Sequence, residues 1–354
     1  MASRRHFLAT LLAAGAAPSF SWASVGNPSF LAAAKEGEVF SLFGLTADGQ
    51  ITFRVPLPAR GHAGAGHPTQ PIAVAFARRP GHFALVIDCT TGAVLHQLTP
   101  PDGQQFNGHG LFLDEGRLLL TSEQRADDSA GRLGLWDVAA GYKRMGEIDT
   151  HGIGPHDVRL MPDLTTLVVA NGGIATDATD RTKLNIPDMR PNLAYLTLDG
   201  LQEMVELEED LHQNSIRHFA LRDDGLVAFA MQWEGEADSA TPLLGLHRRG
   251  EAPVLASAPL QDELLMKGYA GSIAFSGDGN EVAITSPKGG RLHRFDADGN
   301  FLGAVSRTDV CGLVALPDGM MASDGAGGLI AIRQGQPSPL ALHTAQWDNH
   351  IIAL

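Results

Sequence analysis

Asn349-His350-Ile351-Ile352-Ala353-Leu354, the last residues of the chain, repeat a pattern that the sequence has already written several times. Gly108-His109-Gly110-Leu111-Phe112-Leu113, Pro155-His156-Asp157-Val158-Arg159-Leu160 and Arg217-His218-Phe219-Ala220-Leu221 share its form, a small or polar start followed by one short apolar run. Ala270-Gly271-Ser272-Ile273-Ala274-Phe275 and Cys311-Gly312-Leu313-Val314-Ala315-Leu316 are variants, and Gln70-Pro71-Ile72-Ala73-Val74-Ala75-Phe76 supplies a seventh. Turn signals such as Thr46-Ala47-Asp48-Gly49, Asp223-Asp224-Gly225, Ser276-Gly277-Asp278-Gly279 and Pro317-Asp318-Gly319 each join two β-rich runs, as hairpin turns do. Helical periodicity is almost absent. The unit returns about every 40 to 60 residues, the period of propeller blades. Seven openings predict an all-β chain: a seven-bladed β-propeller of four-stranded blades, each opening being the strand nearest the axis.

The last opening, Asn349 to Leu354, has nothing after it to complete a blade. The missing strands are available at the other end, in Val39 to Phe43 and Gln50 to Leu57. Pairing the two termini closes the ring and removes two exposed sheet edges. The sequence thus predicts one propeller domain over residues 38–354. The stretch from Asp177 to Leu193 is long and polar, and reads as an ordered loop inside one blade.

Ahead of that domain, Ser3-Arg4-Arg5-His6-Phe7-Leu8 precedes an apolar run from Leu8 to Ala17, then Pro18 and a Ser21-Trp22-Ala23 step. Two adjacent arginines before a short apolar segment read as a twin-arginine export leader over residues 1–23, with the cut between 23 and 34. The expected location is the periplasm. The run is too short for a permanent membrane span, and no membrane insertion is expected. Loss of Arg4 and Arg5 would take the formal net charge from -14 to -16. A surface this acidic argues against nucleic acid and anionic lipid as partners. Cys89 and Cys311 are the two cysteines and fall in separate repeats, so no disulfide framework holds this fold.

Four of the fourteen histidines, His109, His156, His218 and His350, occupy the openings. Equivalent positions in a ring converge near one point, so residues far apart in sequence become neighbours at one mouth of the channel. Cys311 falls one residue from the equivalent position. His62 and His67 lie in a glycine-rich segment just before the first opening and are placed to cap the site. The competing reading is structural, each histidine bonding a neighbouring backbone as in WD-type repeats. Gly108-His109 with Leu135-Trp136-Asp137 imitates that signature, but only this repeat shows both halves.

Neutral imidazoles without a carboxylate majority suit copper or iron, with zinc less favoured, over calcium or magnesium. The same geometry could grip haem iron axially. The expected metal ligands are His109, His156, His218 and His350, with Cys311 and His67. His109, His156 and His218 should form the closest set, and His350, across the ring, the weakest member. Arg217 could offset an anionic ligand. Glu123, Asn171, Gln232 and Asp324 recur where second strands end, as site residues or as braces of the inter-blade loops; Arg217 and Asn171 are the candidates for cofactor contact. No Gly-x-Ser-x-Gly, phosphate loop, His-Glu-x-x-His or Cys-x-x-Cys-His motif is present.

Several segments resemble a bacterial family of uncharacterised function, exported by the twin-arginine route and propeller-like. They are His151-Gly152-Ile153-Gly154-Pro155-His156-Asp157, Val168-Val169-Ala170-Asn171-Gly172-Gly173-Ile174, Leu184-Asn185-Ile186-Pro187-Asp188-Met189, Ser215-Ile216-Arg217-His218 and Ala283-Ile284-Thr285-Ser286-Pro287. The resemblance spans nearly the whole mature chain. Genes of that family often lie beside those for imelysin-like iron-uptake proteins and a dihaem cytochrome-like thiol oxidoreductase. It therefore implies a periplasmic role in iron acquisition, with such periplasmic or membrane proteins as partners, but no reaction and no ligand set. The leading expectation is a metal- or haem-binding propeller. A metal-dependent oxidoreductase on the same histidines, or a cofactor-free protein-binding scaffold, is the alternative.

Overall fold

The structure, a computed structural model, describes residues 21–354. The twin-arginine pair and nearly all of the expected leader lie outside the described residues. The regular structure of the described chain is nearly all strand: seven four-stranded antiparallel sheets form the blades of a propeller. Among the described residues one short α-helix, Leu260–Leu265, and a few 3-10 turns are the helical exceptions. Among the described residues no helix is long and apolar enough to cross a membrane.

In ring order, blade 1 pairs the C-terminal strand Gln346–Ala353 with Phe30–Glu36, Val39–Leu45 and Ile51–Leu57. Blades 2 to 7 follow along the chain over 61–98, 104–153, 155–206, 214–256, 272–306 and 310–342. Both termini therefore build one sheet, as the sequence predicts. Phe30 lies opposite Ala353 and Leu31 opposite Ile352. The loop predicted from Asp177 joins the second and third strands of blade 4 and carries a bridge between Thr176 and Lys183.

Two strand assignments differ from the sequence reading. The innermost strand of blade 2 is Gly61–Gly66, and Ile72–Ala77 is its second strand. Gly61-His62-Ala63-Gly64-Ala65-Gly66 reads as a flexible loop because it lacks bulky β-formers. Near the axis smallness is a requirement: a Cβ on Gly64 would come 3.1 Å from the Val74 carbonyl oxygen. The second difference is the domain boundary at residue 38, since Phe30–Glu36 is the strand that pairs directly with the C-terminal strand. Leu31-Ala32-Ala33-Ala34 is buried on both faces, so it shows no alternation and reads as leader.

The core is divided among the gaps between blades. Each of seven apolar clusters lies between two adjacent sheets. Strand alternation feeds them: Leu31 and Leu42 of blade 1 face blade 2, whereas Ala32, Ala34 and Phe43 face blade 7. Burying one such Leu or Phe contributes roughly 1.5–3 kcal/mol. The stability of the ring is thus spread over its gaps, and the axis is left free for polar chemistry.

Candidate metal centre

Five innermost strands deliver an imidazole to the axis. His350 comes from blade 1, His62 from blade 2, His109 from blade 3, His156 from blade 4 and His218 from blade 5. All five sit at or beside a break in strand register. The breaks fall between Gly61 and Gly64, Phe106 and Gly110, Pro155 and Asp157, and Ile216 and His218, and in blade 1 between the partners of Ile351 and Trp347. A bulge inserts an unpaired residue and re-aims side chains, turning a ring of strands into a ring of inward-facing histidines.

The rings are in mutual contact. Centroids of His62 and His350, His156 and His218, and His218 and His350 are each 4.5 Å apart, and His109 lies 4.8 Å from His156 and 4.9 Å from His350. His156 Nε2 and His218 Nε2 are 3.2 Å apart, the separation of two nitrogens on one ion when metal–nitrogen bonds are about 2.0–2.1 Å. His62, His109, His156 and His350 each offer a ligand atom within 4.8 Å of the others, and His109, Asp157 and His218 form a second such group. Gly108, at φ +94°, makes this packing possible: a Cβ there would meet His62 Cδ2 at 2.6 Å.

All five imidazoles are buried, between 5% and 9% exposed. His62 Nδ1, His109 Nε2, His156 Nδ1 and His350 Nε2 have no hydrogen-bond partner among the described residues. These are the same four residues that converge, and leaving a buried polar group unpaired costs about 1–3 kcal/mol. Burial first, then the neighbouring imidazoles, hold the pKa values of His62, His156, His218 and His350 well below the ordinary histidine value. The rings are therefore neutral at pH 7, the form that ligates a metal. Asp157 Oδ1 lies 3.5 Å from His109 Nδ1. Burial pushes the Asp157 carboxyl up, but Arg159 and His109 outweigh it and the group stays ionised. It orients His109 with Nε2 towards the cluster, as second carboxylates do around metal-bound histidines. This contact replaces the WD-type explanation for His109, whose partner is Asp157 and not Asp137.

His350 is not the outlying member. Blade 1 lies between blades 7 and 2, so His350 touches His62, His109 and His218. His62 is a full member of the cluster, on a strand and not on a capping loop. The pair Gly61-His62, matching Gly108-His109, was the signal for it.

Neither ligand group includes Cys311 or His67. The Cys311 thiol is buried against Ser323 Oγ at 3.4 Å and the Trp347 carbonyl at 3.5 Å, and burial pushes its pKa up to about 12. A thiol so hard to ionise is a poor ligand. His67 Nδ1 accepts backbone N–H groups of Thr69 and Gln70, at 3.2 and 3.1 Å, and its ring packs on Phe112. Asn171 is a brace: its Nδ2 donates to the Thr150 carbonyl and to Asn192 Oδ1, each at 2.8 Å. Glu123 and Gln232 brace similarly, through Arg144 and the Ala270 carbonyl, and Asp324 accepts the backbone N–H groups of Ala326 and Gly328. Arg217 is buried beside the cluster, at the rim where the inner strands start.

Residues 55–354 match the model of the family DUF1513, described as a protein of unknown function, and the chain belongs to that family. No curated protein matches it. Among solved structures, a chain titled Kuenenia stuttgartiensis Hydrazine Synthase is similar, with TM-score 0.59 and 14% identity. The likeness covers 86% of this chain and 89% of that one, and is one of fold alone.

Proposed function

We propose that this member of the DUF1513 family is a metal-binding propeller that holds a transition-metal ion, copper or iron before zinc, among the axial histidines. One observation carries the reading: four buried imidazoles converge, and each has a ring nitrogen left without a partner. An ion among these rings would supply a partner that the protein itself does not. Neutral nitrogen donors favour copper, ferrous iron or zinc over the hard cations that prefer oxygen. Rings in edge contact at 4.5 to 5.4 Å leave no slot for a porphyrin plane, so a bare ion is preferred over haem. A periplasmic setting after twin-arginine export, and a part in iron acquisition with imelysin-like or dihaem cytochrome-like partners, belong to the same proposal and rest on the sequence resemblance.

The test is elemental analysis of protein recovered from the periplasm of an expressing cell, for the natural chain and for the double variant His156→Ala/His218→Ala. The expected result is a stoichiometric transition metal in the first and none in the second, with unchanged β-sheet circular dichroism. Absence of any metal in the natural chain, even after reconstitution with copper, ferrous iron and zinc, would leave the scaffold reading. Metal together with turnover of a redox dye would favour the oxidoreductase.

A further inference from the structure

At the face where the inner strands begin, a small recess is lined by Arg79, Gln105, Thr176, Asp180, Arg181, Lys183 and Arg217. Its cations come from three blades. Arg79 sits between the second and third strands of blade 2, Arg181 and Lys183 on the long loop of blade 4, and Arg217 on the inner strand of blade 5. The chain as a whole is strongly acidic, so a local surplus of positive charge needs a reason.

Counter-charge inside the protein is insufficient. Arg217 is 6% exposed, and its nearest carboxylate oxygen, Glu234 Oε1, is 3.9 Å from its Nη2. The other oxygen of Glu234 is engaged by Lys183. Asp180 accepts the backbone N–H of Thr182 at 2.7 Å. Arg79 and Arg181 make no ion pair among the described residues, and Arg217 Nε and Arg79 Nη1 are buried without a hydrogen-bond partner. Buried guanidinium groups are expensive unless an anion pairs with them. Their planar forks match the two oxygens of a carboxylate or similar oxyanion.

We infer that this recess is an anion site for a small oxyanion, such as a simple carboxylate or nitrite, held between Arg79 and Arg217 with Arg181 and Lys183 at its entrance. Its volume, about 30 Å³, has room for roughly two water-sized groups and excludes a nucleotide or a sugar phosphate. Arg217 directly precedes His218, and Gln105 lies on the strand of His109, so the anion would sit next to the histidine cluster. The site goes beyond the metal reading and stands without an ion among the histidines.

The test is isothermal titration of the metal-free full chain with sodium nitrite and, separately, sodium formate at constant ionic strength. Saturable one-to-one binding of at least one anion is expected. It should weaken at least about tenfold in Arg79→Gln and Arg217→Gln, the loss of one charge-assisted pair. Arg181→Gln changes an exposed side chain, so its fold is safe, and it should weaken binding about threefold. No saturable binding of either anion, or equal affinity in natural chain and folded variants, would overturn the inference. Should Arg217→Gln fail to fold, Arg79→Gln and Arg181→Gln decide. Elemental analysis of the same preparations after metal reconstitution shows separately whether the metal reading stands.

Discussion

Five consecutive blades bring an imidazole to the axis, while blades 6 and 7 carry Gly271 and Gly312 four residues before the end of the same apolar run. All seven share one architecture and the same kind of apolar gap. The glycines answer local packing: a Cβ on Gly312 would meet Ser323 Oγ at 2.6 Å and Ile351 Cγ1 at 2.9 Å. A blade therefore folds without an axial histidine. The histidines of the other five are thus not a requirement of the blade, and together they could hold a metal ion. His293, outside both ligand groups, is buried with both ring nitrogens unpaired, so convergence and not a missing partner marks the axial set; His247 is a structural histidine with both nitrogens satisfied. It is just as buried, but Nδ1 meets Tyr195 Oη at 2.6 Å and Nε2 meets the Glu251 carbonyl at 3.0 Å.

The contrast breaks most decisively at His62, which belongs to the four-histidine group and has its Nδ1 unpaired. His62→Ala should lower ion affinity at least about a hundredfold, read by competition with a chromogenic chelator. His247→Ala should leave that affinity unchanged and lower stability alone. Equal ion affinity in the two variants would erase the distinction between axial and structural histidines.

Acid should act on the same histidines. Burial and mutual repulsion keep His62, His156, His218 and His350 unprotonated in the fold, while the unfolded chain takes up protons near the ordinary value of 6.5. Protonation therefore favours unfolding. Stability of the metal-free protein should be complete above pH 6.5 and fall as pH drops below it, by up to about 1.4 kcal/mol per group per pH unit. Urea midpoints at pH 7.5 and 5.5 measure the fall, and His156→Ala should make it shallower. A steeper fall in that variant would contradict the assignment.

In the two blades without an axial histidine, Gly312→Ala should destabilise by about 1–3 kcal/mol through overpacking and leave metal content unchanged. Thermal melting with elemental analysis checks both halves of that statement. The smallest effect is expected at Cys311→Ser. The thiol lies outside both ligand groups, so metal stoichiometry and identity should not move. A change in either would return sulfur to the ligand set.

Much of the fold is legible along the chain because turns and strand openings are local signals. Asp-Gly turns and the apolar runs after His109, His156, His218 and His350 mark blades without reference to any neighbour. Phe30–Glu36 and Gly61–Gly66 are harder to read because both lie where the sheet is covered on every side, and alternation or bulk disappears there. With Gly61–Gly66 went His62, the ligand candidate that the openings did not reveal. Cys311 shows the opposite error, since a shift of one residue along a strand sends a side chain to a different environment.

The sequence by itself determined seven units, their closure through both termini and the histidines that repeat at their openings, since each is a pattern carried by residues close together. Only the tertiary structure decided which histidines touch. The order of blades around the axis, with blade 1 seated between blades 7 and 2, puts His350 against His62 and His109. Register breaks decide which side chains turn inward. The gathering of Arg79, Arg181 and Arg217 in one recess likewise depends on two loops and an inner strand, from three blades, meeting at one face. Convergence is a property of the closed ring, and no stretch of chain shorter than the ring contains it.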